Sequence, residues 1–109
     1  MAYDEGLAQR VREVLAVEPG LTEKRMFGGI AFMLDGNMAC AVSNDELMVR
    51  VGADGADALT AQPGVRISDM AGRPMKGWVL VSANATAEDE DLAGWVGRGV
   101  TFARSLPPK

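Results

Sequence analysis

Apolar residues recur at helical spacing near the start of the chain: Leu7, Val11, Val14 and Leu15, with Tyr3 one turn earlier. This stripe between polar neighbours predicts an amphipathic helix from about Tyr3 to Val17, ended by Pro19-Gly20. From Glu23 the period changes to two. Ile30, Phe32 and Leu34 alternate with Ala31 and Met33, and Asp35-Gly36 then marks a two-residue hairpin turn. Met38, Cys40 and Val42 share one face of the returning strand. After Ser43-Asn44-Asp45, Leu47, Val49 and Val51 alternate with Glu46, Met48 and Arg50. Together these segments predict a three-stranded antiparallel meander.

Past Gly52, the alanine-rich stretch from Ala53 to Ala61 predicts a short helix stopped by Pro63-Gly64. Val65 to Met70 reads as a strand, the run 71–74 as a turn, and Lys76 to Val81 as another strand. Thr86, with Asp89 three residues on, resembles a helix N-cap. Asp and Glu crowd the following turn, where the helix dipole favours anions. Leu92, Trp95, Val96, Val100 and Phe102 supply the stripe of a final helix reaching about Ser105. The expected order is α-β-β-β-α-β-β-α: a single α+β domain over 1–109, with an antiparallel sheet of about five strands and helices packed on it in two layers.

Composition narrows the chemistry. The 109 residues carry a formal net charge of −4, which argues against non-specific binding to nucleic acid or acidic membranes. No predicted helix is basic enough to enter a DNA groove, so direct DNA binding is not expected. Histidine is absent, removing the commonest general base and metal ligand. One cysteine, Cys40, forms neither an internal disulfide nor a cysteine-based zinc site, and fits a reducing cytoplasm. The acidic start lacks the pattern of a signal peptide, and no apolar run is long enough to span a membrane. No catalytic residues, metal site or cofactor are expected.

Two glycine-punctuated blocks stand out: Arg25-Met26-Phe27-Gly28-Gly29 and Gly72-Arg73-Pro74-Met75-Lys76-Gly77-Trp78-Val79. With Leu47-Met48-Val49-Arg50-Val51 and Phe102-Ala103-Arg104-Ser105-Leu106-Pro107, they resemble the N-terminal domain of the TfoX/Sxy family across nearly the whole chain. The resemblance implies a compact α+β unit related in shape to secretion chaperones. Full-length members add a helical C-terminal domain and regulate natural competence with a cyclic-AMP receptor protein. The stretch to Lys109 is expected to hold the N-terminal domain without the second, and the resemblance supplies no established catalytic residues to carry across.

The residues themselves point to contact rather than catalysis. Arg25, Arg50, Arg73 and Lys76 lie in or beside strands and would make a cationic patch if the strand ends converge. Ordinary ion pairs with Asp45, Asp54, Asp57 or Asp69 are the plainer expectation. Gly28-Gly29 lacks the spacing of a phosphate-binding loop and reads first as a bend or bulge, with an anion-cradling loop as the sharper reading. Of the methionines, Met26 and Met75 are candidates for a recognition groove, whereas Met33 and Met38 read as packing. Trp78 and Trp95 read as core or interface anchors, and Cys40 as an inert thiol. Gly94, Gly97 and Gly99 imply close packing onto the sheet or a homodimer surface. The expected role is non-catalytic: a regulatory domain docking a protein segment through Phe27, Met75 and Trp78 beside the cations. The alternative is a small-ligand or anion sensor with a concave pocket at the Gly28-Gly29 and Arg73-Pro74 turns.

Overall fold

The computed structural model describes residues 3–26, 28–70 and 73–108, with the side chains of residues 26, 70 and 73 outside the description. Helix α1 spans Glu5–Leu15 and buries Leu7, Ala8, Val11 and Leu15. Asp4 caps it, its carboxylate accepting the Leu7 N–H at 3.0 Å and so satisfying one otherwise orphaned donor. The helix is shorter at both ends than its apolar pattern suggested. Tyr3 instead forms a bridge with Asn44, and Val17 is solvent-exposed.

Four strands follow: β1 (Leu21–Met26), β2 (Gly29–Leu34), β3 (Asn37–Ser43) and β4 (Glu46–Arg50). The β2–β3 turn uses Asp35 and Gly36 at φ of 50° and 85°, the doubly left-handed geometry that Asp-Gly favours. After α2 (Ala53–Leu59) come β5 (Val65–Met70) and β6 (Arg73–Val81), then a 3₁₀ turn at Ala83–Thr86 and α3 (Asp89–Arg104). The α+β architecture and element order agree with the sequence reading, except that the sheet has six strands rather than about five. The additional strand is β1, whose Thr22-Glu23-Lys24-Arg25 run has no apolar alternation. It lies at a sheet edge, where charge discourages pairing with other chains. Thr86 is not the α3 cap; its hydroxyl faces the carbonyls of Ser82 and Ala83, and Glu88 takes the N-cap position.

The sheet is antiparallel throughout, in the order β1-β2-β3-β4-β6-β5. Its register makes the two faces different. Phe32, Cys40 and Val49 line up across three strands, as do Val42, Leu47, Val81 and Val65 across four. These residues join Leu7, Val11 and Leu15 of α1, Ala56 of α2, and Leu92, Trp95 and Val96 of α3 in one buried cluster. All three helices therefore cover the same face. The opposite face carries a row running Ala31, Ala41, Met48, Leu80 and Arg66, and none of the described helices covers it.

The α3 glycines separate into two kinds. A Cβ on Gly99 would lie 2.3 Å from the Ala39 carbonyl oxygen, so α3 meets β3 backbone to backbone there. A Cβ on Gly94 or Gly97 would meet nothing within 4 Å. Close packing explains Gly99 alone.

Candidate functional site

Methionines occupy strand positions where a solvated face would carry polar side chains. On the helix-free face, Met38, Met48 and Met75 line a groove of about 200 Å³ together with Leu80, Ser68 and Gly29. Met48 and Leu80 are cross-strand partners on β4 and β6, so the sheet register places them side by side. Ser68 on β5 is only 2% exposed. Its hydroxyl donates to the Met48 sulfur at 3.3 Å and lies 3.8 Å from the Met75 sulfur. Soft thioethers accept weakly, so this arrangement satisfies the hydroxyl while leaving the methionine chains free to adapt.

Gly28 has a φ of 76°, and Gly29 is buried against β3. A Cβ on Gly29 would lie 2.4 Å from the Val42 carbonyl oxygen, so no larger residue fits without moving backbone. The pair therefore makes a tight entry to β2, and Gly29 forms part of the groove wall. Met75 joins the same wall from within β6, which begins at Arg73 rather than after a turn reaching Pro74, since Pro74 pairs with Asp69. Phe27 lies outside the described residues, as do the side chains of Met26 and Arg73.

At the end of β4, the Arg50 guanidinium lies within cation–π distance of two aromatic rings. Its carbon is 5.3 Å from the Trp78 centroid and 5.1 Å from that of Phe102. Trp78 is the direct cross-strand partner of Arg50. Lys76 is exposed on β6. Arg25 is exposed on β1, four strand steps from β6, or roughly 19 Å along the sheet at about 4.8 Å per step. Arg25 also pairs in register with Ile30, on the helix-covered face. The fold thus brings Arg50 and Trp78 together and leaves Arg25 apart.

Among the described residues, the ion pairs use other cations. Arg12 forks Glu23 at 2.6 and 2.8 Å, Arg66 forks Glu46, Arg10 meets Asp89, and Arg104 reaches Glu18 and Asp35. The Arg12 hydrogen bond holds the Glu23 carboxyl below its ordinary value. Cys40 is fully enclosed, and burial pushes its thiol up to about 12, which leaves it protonated and unreactive near neutrality. No group of three or more metal-ligating side chains occurs among the described residues. Nor is any described helix long and apolar enough to cross a membrane.

The family model described as the TfoX N-terminal domain matches residues 13–103, which include β1 to β6, the groove and Arg50 with its two rings. The chain belongs to the TfoX N-terminal domain family. No curated protein and no solved structure matches it. In this TfoX N-terminal domain the sequence reading singled out Met75, Gly29, Arg50 and Trp78, but not Met38, Met48, Ser68, Arg98 or Phe102. The missed signal lies in the phase of the methionines. Met33 and Met48 fall at strand positions opposite to Phe32 and Val49, whereas Met38, two residues from Cys40 and expected on its face, reaches the groove because the β2–β3 register shifts between Phe32 and Met33.

Proposed function

We propose that this TfoX-type domain is a non-catalytic, cytoplasmic interaction module of a regulatory system. It seats an apolar side chain of a partner protein segment in the methionine groove. The groove's size carries the proposal. Its roughly 200 Å³ accommodates one or two side chains, whereas small-molecule sites usually enclose about 300–1,000 Å³. Three methionines give walls that repack around different apolar shapes at low cost. Lys76 beside Met75, and Arg50 beside Trp78, offer charges that set the register of the segment. The same concavity would serve a small-ligand sensor, but its size favours the side chain of a macromolecular partner.

The test is partner capture by in-cell crosslinking of the full chain, comparing wild type with Met48→Lys and Met75→Lys. Glu13→Gln, on the exposed side of α1, serves as the control. A specific crosslinked protein that survives in the control and vanishes in both groove variants is the expected result. Identical crosslinked sets for folded wild-type and groove variants would refute the proposal.

A further inference from the structure

The outward face of α3 carries Gly94, Gly97, Arg98, Thr101, Phe102 and Ser105, spaced by three and one in alternation, which places them along a single side of the helix. That side looks across an open cleft of about 900 Å³ toward Gly55, Ala58 and Leu59 of α2. Gly55, Gly94 and Gly97 each leave open space where a Cβ would stand, and none has the positive φ that requires glycine. Among the described residues, nothing accounts for three bare positions around one concavity. Their effect is to keep the cleft wide and its helical walls flat.

One arginine lines this cleft and a second stands beside it against Phe102, and each lies over an aromatic ring. Arg98 lines it, with its guanidinium carbon 5.4 Å from the Trp95 centroid. Phe102, one turn further along α3, also lines it and is one of the two rings beside Arg50. Among the described residues, neither Arg50 nor Arg98 forms an ion pair or a side-chain hydrogen bond, although Arg10, Arg12, Arg66 and Arg104 all do. A guanidinium held over an aromatic ring by cation–π attraction spends none of its N–H donors on that contact. The contact also fixes the side chain in advance, so less freedom is lost when an acceptor arrives.

We propose that the α2–α3 cleft binds a small organic anion, whose carboxylate or phosphate oxygens are received by Arg50 and Arg98. The body of the ligand lies along the glycine-flattened walls, against Val51 and Leu59, with the Thr101 hydroxyl on the same helix side. The volume lies within the usual range of about 300–1,000 Å³ for such sites. Carboxylate and phosphate share the paired-oxygen edge that a guanidinium fork matches. This site shares no lining residue with the methionine groove, and although Arg50 serves both readings, Arg98 belongs to this one alone, so its variant tests the cleft independently of the groove.

Both tryptophans of the chain lie against these arginines, so intrinsic fluorescence reads the site directly. The full chain is titrated separately with inorganic phosphate and with succinate, against sodium chloride at matched ionic strength. Arginine side-chain N–H signals are followed by NMR. A saturable fluorescence change with at least one anion, accompanied by shifts of the Arg50 and Arg98 signals, is expected; the responding arm identifies the oxyanion. Arg50→Gln should weaken the response at least tenfold, while Lys24→Gln on β1 leaves it unchanged. Should Arg50→Gln fail to fold, Arg98→Gln on the exposed helix surface provides the same readout. The proposal is overturned if neither anion exceeds chloride, or if a folded arginine variant responds like wild type.

Discussion

Replacing Gly99 by alanine tests how α3 docks on the sheet. An added methyl would sit 2.3 Å from the Ala39 carbonyl oxygen, against 3.4 Å or more for an ordinary contact, a shortfall of at least 1.1 Å. The opposing atoms are backbone, and Val49 closes the site at 3.3 Å, so relief requires moving the helix away from β3 and β4. Overpacking of this kind costs about 1–3 kcal/mol, with the upper half of that range fitting a shortfall this large. Removing a helical glycine returns about 1 kcal/mol. The expected net effect is a loss of about 1–2 kcal/mol for Gly99→Ala. Gly97→Ala meets no neighbour and should gain up to about 1 kcal/mol by the same propensity argument. For a domain near this size, about 4 °C of Tm corresponds to each kcal/mol, so the two variants should melt roughly 4–12 °C apart, Gly97→Ala the higher. Thermal and urea unfolding followed by far-UV circular dichroism measure this. A Gly99→Ala protein as stable as Gly97→Ala would refute the backbone-to-backbone contact.

Two further outcomes follow from titratable groups. The folded Glu23 carboxyl lies below its ordinary 4.5, so its pairing with Arg12 adds stability above that pH and loses it as acid protonates the folded form. Both side chains are about a third exposed, so screening limits the gain to below about 1 kcal/mol. Urea unfolding should therefore show Arg12→Gln less stable than wild type near neutral pH, with the gap closing in acid; a gap that widens in acid would contradict the pairing. For Cys40, a thiol reagent at pH 8 should label only urea-unfolded protein, since burial holds the native thiol protonated. Rapid labelling of the native protein would show that the core opens more readily than this packing allows.

Much of the fold was legible because apolar periodicity reports burial directly. Ile30, Phe32 and Leu34 marked β2, and Asp35-Gly36 fixed the hairpin that returns through β3. The strand β1 escaped because it gains its place from hydrogen bonds to β2 and an ion pair to α1, neither of which requires apolar residues. Thr86 misled because a hydroxyl near a helix start also suits the preceding 3₁₀ turn. The site was less legible than the fold. Arg50 and Trp78 lie 28 positions apart and meet only because β6 inserts beside β4 ahead of β5. Gly99 and Gly97 are equivalent as letters, and only the position of Ala39 distinguishes them.

The strand order also divides the domain in an unexpected place. β1 to β4 form one sequence-contiguous meander and β5–β6 one hairpin, and the sheet joins them solely where β4 meets β6. That zipper is four residue pairs long, and its final pair is Arg50 with Trp78. The domain is therefore an assembly of two locally wired halves, and whatever engages Arg50 pulls directly on the stitch between them.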